Sequence, residues 1–503
     1  MCASQDLALC IEAAGRTRPN HLFLKTSEGR ELSYRALIDE SARIAQALAH
    51  WGVLPGERIA VQVEKSVEAV LLYIACLRSG VVFVPINSAN TAHEVQHFLV
   101  DSKPRLVVLD PARRAAVEPL AREANVAHVE TLDAHGEGSL RERVRGVTGG
   151  ARPLVSFDAG ALASIIYTSG TTGRSKGAML TRGNLASNAA VLAEAWHFTS
   201  ADVLQHVLPL FHIHGLFVAI NTVLASASSL LLMSKSDAAS TLAHMRAASV
   251  FMGVPTHYTR LLQQANLNRE TTAGMRLFVS GSAPLLVETH EEFRSRTGHV
   301  ILERYGMSET LINTSNPYDG ERRAGTVGPP LKDVFIRVAA AGEGGIGGLE
   351  VQGPNVFAGY WMDAAKTRSE FTDDGWFKTG DLGRIDAEGY VHIVGRAKDL
   401  VISGGYNVYP KEVEAELDAL AGVLESAVFG VPHPDFGEGV TAVVVAQSGA
   451  ALSESEILSA MQSRLARYKC PKRVLVIEEL PRNTMGKVQK NELRKRYATL
   501  YAD

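Results

Sequence analysis

The sequence predicts an α/β protein with a large layered N-terminal domain and a small α+β C-terminal domain. Three observations carry this. The chain has 503 residues, and a single core rarely grows past ~250–300 residues. Its first part alternates helix-period and strand-period segments, the pattern of helices layered on a largely buried sheet. Near Gly395 that alternation gives way to a turn-rich, charged segment, GRAKDLVISGGYNVYP, followed by enough elements for a domain of about a hundred residues. The boundary is placed between residues 396 and 397, giving domains 1–396 and 397–503.

The elements follow in order. Ser33 caps a helix running from Tyr34 toward Trp51, with Leu37, Ile44, Ala45 and Leu48 on one face and Gly52 as its stop. Pro55-Gly56 turns the chain into a strand at Arg58–Val63. A helix over Val67–Arg78 ends at Gly80, and apolar runs at Val81–Val84 and Leu106–Leu109 read as strands. Residues 137–160 are polar and glycine-bearing and read as a linker. Leu162–Tyr167 is a buried strand. The uncharged stretch Leu216–Met233 approaches the length of a membrane span. Asn221, Thr222, Ser226, Ser228 and Ser229 interrupt it, so it reads as a buried helix followed by a buried strand. Beyond Pro410 the pattern gives a helix at Lys411–Leu420, strands at Leu424–Phe429 and Thr441–Val445, a helix at Ser455–Leu465 and a strand at Arg473–Ile477.

Composition excludes several function classes. With 51 basic and 54 acidic residues the formal charge is −3, which offers no footprint for nucleic acid or an anionic membrane surface. Cys2, Cys10, Cys76 and Cys470 form no CxxC pair, so neither a disulfide framework nor a zinc site is suggested. The first twenty residues carry Asp6 and Glu12 and no long apolar core, unlike a secretory signal, so a cytoplasmic location is expected.

The densest chemistry lies at Tyr167–Gly177, YTSGTTGRSKG. This stretch holds three glycines, five Ser/Thr hydroxyls, Arg174 and Lys176 directly after a strand. Glycines let backbone N–H groups curl around an anion, hydroxyls add donors, and the cations add charge. The pattern is a phosphate-binding loop, and not the G-x-x-x-x-G-K-[ST] type, because Gly177 follows Lys176. Three other matches are set aside. Gly342–Gly347 fits GxGxxG but precedes a strand-like LEVQG, so it reads as a hairpin turn. His212-Ile-His214 has no third metal ligand nearby and reads as histidines lining a pocket or the core. Asn313-Thr-Ser315 fits a glycosylation sequon that has little meaning in the cytoplasm.

Four further motifs follow in order: YGMSET at Tyr305–Thr310, TGD at Thr379–Asp381, GRAKD at Gly395–Asp399 and PRNTMGK at Pro481–Lys487. With the loop, they make nearly the whole chain resemble the adenylate-forming superfamily of acyl-CoA synthetases, adenylation domains and luciferases. The resemblance implies that family's fold, in which the small C-terminal domain is mobile. It also implies the cofactors ATP, Mg²⁺ and coenzyme A and a two-step reaction. A carboxylate attacks the α-phosphate of ATP to give acyl-AMP and pyrophosphate, and a thiol then displaces AMP.

Roles follow by motif match. Lys487 would donate to the carboxylate and the bridging oxygen. Thr168, Ser169, Gly170, Thr171, Thr172, Gly173 and Lys176 would hold the β- and γ-phosphates. Glu309 would ligate Mg²⁺. Tyr305 would stack on adenine, within the nucleotide-binding stretch that continues through Gly306, Met307 and Ser308, with Gly281, Ser282 and Ala283 presenting backbone to its edge. Asp381 and Arg396 would bind the ribose. Lys398 would be the hinge, and Gly404 and Gly405, ahead of Tyr406, would lie against the thiol channel. A lysine acetyltransferase acting on Lys487 is a candidate partner besides the small-molecule substrates.

The acid is read from Arg304, which precedes Tyr305 at a position that borders the acyl site and is usually small and uncharged in relatives that take fatty or aromatic acids. A guanidinium there is costly without an anion, which points to a second carboxylate held bidentately. The competing reading is a salt bridge to Glu303. The stretches FHIHGLF, MGVPTHYTRLL and ERYGMSETLINTSNPYDG resemble malonyl-CoA synthetases, which implies a malonate:CoA ligase, with methylmalonate also open. Ser280 and His212 are further donors to the distal carboxylate, and Met307 limits the site's size. The alternatives are another small-acid acyl-CoA synthetase or a free-standing adenylation enzyme loading a carrier protein. A light-emitting oxidase is disfavoured by Arg304, and an inactive acyl-AMP binder by the presence of Lys487 and Glu309.

Overall fold

The structure is a computed structural model that describes residues 6–147, 154–168, 175–234, 237–483 and 486–502. It divides into two compact units. One comprises Met1–Phe335 with Val351–Phe377, the other Ile336–Glu350 with Lys378–Asp503. The 396/397 boundary read from the sequence falls within the second unit.

The first unit holds two large sheets. In the six-stranded sheet the order is His128–Thr131, Leu106–Leu109, Arg58–Gln62, Val82–Pro85, Leu162–Thr168 and Lys176–Thr181. Pairing is parallel except for the last two strands, which run antiparallel and set Thr168 opposite Lys176. In the eight-stranded sheet the order is Leu311–Ser315, Leu302–Met307, Leu277–Ser280, Val250–Gly253, Val203–His206, Ser229–Leu232, Leu22–Thr26 and Glu31–Ser33. Its core is parallel and both edges are antiparallel. Parallel strands covered on both faces read as continuous apolar runs, as Leu106–Leu109 and Leu277–Ser280 do, each buried throughout.

Local chemistry accounts for the helices. Ser33 Oγ accepts from the Ala36 N–H and Ser66 Oγ from the Ala69 N–H, each satisfying a donor at a helix start. Helix Val67–Ser79 is buried at every residue and stops at Gly80, whose φ of 69° suits the left-handed cap. The stretch from His214 to Leu232 is a buried π-turn (His214–Ile220), a short helix (Asn221–Ser226) and a buried strand (Ser229–Leu232), as its interrupted apolarity predicts. Among the described residues no helix is long and apolar enough to cross a membrane.

One expectation is corrected. The polar stretch from residue 137 contains a helix, Ser139–Arg145. Its Leu140 is buried, Arg141 pairs with Glu68 at 3.1 Å, and Arg143 pairs with Glu130. Its stability comes from partners distant in sequence, which a local pattern cannot report.

The second unit has two smaller sheets. One is ordered Phe335–Ala339, Gly347–Gln352, Phe377–Ile385, Val391–Arg396, and the glycine run 342–347 makes the turn between its first two strands. The other pairs Val423–His433 with Gly437–Ala446, flanked by Val401–Ser403, Tyr406–Val408 and Arg473–Ile477. Helices Pro410–Asp418 and Glu454–Arg464 contribute Val413, Leu417, Ile457 and Met461 to the core beside this sheet.

Candidate active site

In the first unit, chemistry-bearing residues gather at two places. The first is the base of the loop that the sequence reads as phosphate-binding. Ser169, Gly170, Thr171, Thr172, Gly173 and Arg174 lie outside the described residues, but both stems are seen. Thr168 Oγ1 donates to Glu309 Oε1 at 3.4 Å, and Tyr360 Oη donates to the same oxygen at 3.1 Å. The Phe357 N–H donates to the Glu309 carbonyl at 2.8 Å. Lys176 Nζ lies 5.9 Å from the centroid of the Tyr360 ring. Glu309 is buried, so its carboxylate is fixed between these donors. Tyr360 carries no motif signal; only the fold brings it here.

The second place surrounds Gly281, which ends strand Leu277–Ser280. Arg304 is 3% exposed and lies flat on this backbone: a Cβ on Gly281 would come within 2.5 Å of the Arg304 Cζ. Its Nε and Nη2 have no hydrogen-bond partner among the described residues. Glu303, next on the strand, faces the other way, its Oε1 accepting from the Leu285 N–H at 3.0 Å. Burial pulls Arg304 down to about 9, against smaller upward pulls from Tyr258 and Glu303. Ser280 Oγ and His214 Nε2 are also buried and without partners among the described residues.

His214 Nδ1 lies 3.2 Å from Ser282 Oγ. Burial first, and then the Arg304 charge, hold this imidazole well below its ordinary range and therefore neutral. Ser282 adopts φ 73°, a left-handed conformation that turns the chain sharply after Gly281 toward Ala283. His212 Nδ1 accepts from the His214 N–H at 3.2 Å, which places the His212 proton on Nε2. Tyr305, Gly306, Met307 and Ser308 are half-buried along the same strand as Arg304 and on into the turn before Glu309. Gly306 is required there, because a Cβ would meet the Leu311 carbonyl oxygen at 1.8 Å. Lys65, unremarked in the sequence, donates to the His206 and Leu208 carbonyls at 3.3 and 3.2 Å. It thus holds the chain that leads to His212 and His214, and burial draws it down to about 7.

Gly281→Ala is expected to displace Arg304 and cost activity while leaving the fold intact. The measurement is kcat/KM for the acid alongside the thermal midpoint. Unchanged kinetics would show that Arg304 does not need this seat.

The second unit carries the residues of the later motifs. Asp381 is buried and pairs with Arg396, Nε to Oδ1 at 2.6 Å, across facing strands. Lys398 is exposed in the turn Ala397–Asp399, and Arg494 ties Asp399 at 2.8 Å. Gly404 and Gly405 take φ 60° and 82° and form the hairpin before Tyr406, which is exposed. Lys487 is exposed, and its N–H donates to Asn483 Oδ1 at 2.9 Å. Gly486 before it takes φ 72°.

Comparison with known proteins places the chain. The family model described as AMP-binding enzyme matches residues 11–361, and its C-terminal domain model matches residues 412–487. The chain belongs to this family, and within it to the AMP-forming acyl-CoA synthetases. It is similar to a probable CoA ligase, CCL8, of Humulus lupulus, 34% identical over 94% of this chain and 85% of that one. A malonate–CoA ligase of Arabidopsis thaliana is 33% identical over 93% of this chain and 85% of that protein. Among solved structures, ATP-bound MatB from Rhodopseudomonas palustris is 52% identical and superposes with a TM-score of 0.95 over 98% of this chain and 99% of that one.

Proposed function

We propose that this enzyme is a malonyl-CoA synthetase: malonate and ATP give malonyl-AMP and pyrophosphate, and coenzyme A then gives malonyl-CoA and AMP. Methylmalonate is the other diacid kept open. One observation carries the choice of acid. Two nitrogens of the buried Arg304 packed on Gly281, the buried Ser280 hydroxyl and one buried His214 nitrogen have no partners among the described residues. Unpaired buried polar atoms are costly, and a carboxylate on the substrate's far end would satisfy them together. The likeness to malonate–CoA ligases supports the same reading. The reading of the other motifs is unchanged: Thr168–Lys176 for the β- and γ-phosphates, Tyr305 and Gly281–Ala283 for adenine, Asp381 and Arg396 for ribose, Gly404-Gly405 for the pantetheine arm. His212, with its proton on Nε2, is a further donor to the acid.

The residues present fit magnesium. Glu309 beside the Thr168 hydroxyl is a hard oxygen pair, and Mg²⁺ usually takes one or two carboxylates and fills its shell with phosphate oxygens and water. When bound it would neutralise phosphate charge. The protein's own part is to hold the Glu309 carboxylate rigidly through Tyr360 and Thr168. A cytoplasmic setting and acetylation of the exposed Lys487 belong to the same proposal.

Two expected results follow here. Burial pulls the Arg304 guanidinium below its ordinary range and a bound dianion favours its charged form, so kcat/KM for malonate should show a falling limb at high pH. The profile for butyrate, which needs no cation, should lack that limb. Identical profiles would remove Arg304 from the acid's recognition. Lys398→Pro should slow thioester formation more than adenylation, because proline fixes φ near roughly −65° and a hinge needs two backbone states. Single-turnover measurement of each half-reaction decides, and unchanged turnover would remove the hinge role.

A further inference from the structure

Helix Ala92–Ser102 has no part in the chemistry above, yet it grips both stems of the phosphate loop. Its Val95, Phe98, Leu99 and Ser102 are buried, and a capping box of Thr91 and Glu94 fixes its start. His97 and Asp101 are one turn apart on one face. Asp101 Oδ2 accepts from the Tyr167 hydroxyl, on the entering stem. His97 Nε2 lies 3.0 Å from the Ser175 carbonyl, on the leaving stem, and can only donate to it.

Packing repeats the pattern. The Tyr167 ring lies 4.6 Å from Phe98 and 6.1 Å from His97, centroid to centroid. The Asp101 carbonyl accepts from Trp361 Nε1 at 3.1 Å, and the Trp361 N–H donates to the Gly177 carbonyl at 2.7 Å, one residue past Lys176. Three separate attachments therefore run from one helix to Tyr167, Ser175 and, through Trp361, Gly177.

We propose that His97 and Asp101 are positioning residues for ATP: they fix the spacing and register of the two stems so that Thr168 and Lys176 meet the phosphates already oriented. The cation and hydroxyl supply the interaction, and the helix supplies their placement, whose loss slows a reaction even when every reacting group remains. This rests on the reading of Thr168–Lys176 as the ATP phosphate loop. The acid and thiol are recognised elsewhere, so only the nucleotide step should feel the brace.

The test compares His97→Ala, His97→Gln and Tyr167→Phe in the full chain, with Lys176→Ala as a control on the loop itself. Pyrophosphate exchange reports adenylation, and conversion of supplied malonyl-AMP to the thioester reports the second half. His97→Ala should lower kcat/KM for ATP about five- to tenfold, the size of one hydrogen bond, mainly through KM. His97→Gln keeps an N–H at the same reach and should recover most of it. Tyr167→Phe keeps the ring packing, loses the bond to Asp101 and should fall in the same direction. Thioester formation should stay within about twofold, because one lost hydrogen bond in the ATP step does not reach it. Normal ATP kinetics in His97→Ala and Tyr167→Phe, with Lys176→Ala impaired, overturn the brace and leave the loop reading standing. Normal ATP kinetics in Lys176→Ala overturn both. Equal loss in both half-reactions, with a lowered melting temperature and no recovery by glutamine, makes His97 merely structural and overturns the proposal.

Discussion

Arg304→Ala is expected to cost malonate about a hundred- to several-thousand-fold in kcat/KM. The guanidinium is buried against the Gly281 backbone with two nitrogens unpartnered among the described residues. Without it, the distal carboxylate would enter a partly apolar site unpaired. Removing one partner of a desolvated charge pair costs about 3–5 kcal/mol, and each ~1.4 kcal/mol is a decade. Acids ending in a methyl group should behave oppositely. In the native enzyme acetate, propionate and butyrate leave Arg304 buried without an anion. The alanine variant removes that penalty, so they should lose far less or gain. The opposite signs matter more than the sizes, because specificity is a difference of affinities. An equal fall for malonate and butyrate would assign Arg304 to the fold or the nucleotide.

Lys487→Ala is expected to block adenylation and spare thioester formation. In the first half-reaction a carboxylate must approach a polyanion, so a cation placed beforehand lowers the barrier. Loss of one such donor typically costs ~10²–10³-fold in rate, and a full charge costs more. Lys487 is exposed, follows Gly486 in the left-handed region, and has its backbone N–H held by the Asn483 side chain. Supplied malonyl-AMP has already passed the step that needs it and should still react with coenzyme A. Equal loss of both half-reactions would show that the assigned role is wrong.

Much of this was legible in the sequence, for identifiable reasons. Val67–Ser79 showed itself through its apolar length and Gly80, and the parallel strands through short apolar runs. The motifs proposed to bind the nucleotide could be picked out because phosphate and ribose demand particular residues at close spacing. Arg304 stood out as a cation directly before the YGMSET motif, at a position the family resemblance places beside the acyl site. What its neighbours do was not legible: Glu303 turning to the Leu285 N–H and Gly281 clearing space are facts of packing. The pairing of strand Gly347–Gln352 with Phe377–Ile385 was equally hidden, because it joins segments with no local signal of their meeting. Tyr360, His97 and Lys65 went unread for the same reason. Each is an ordinary residue locally and matters only through a partner distant in sequence.

The central claim is that this site selects a small diacid, and a carboxylate panel on the native enzyme tests it most directly. Thioester formation with ATP and coenzyme A would be scored for malonate, methylmalonate, succinate, acetate, propionate and butyrate. The account predicts the highest kcat/KM for malonate or methylmalonate, with AMP and pyrophosphate released together and the monoacids far behind. Efficient use of butyrate or propionate, with malonate trailing, would contradict it.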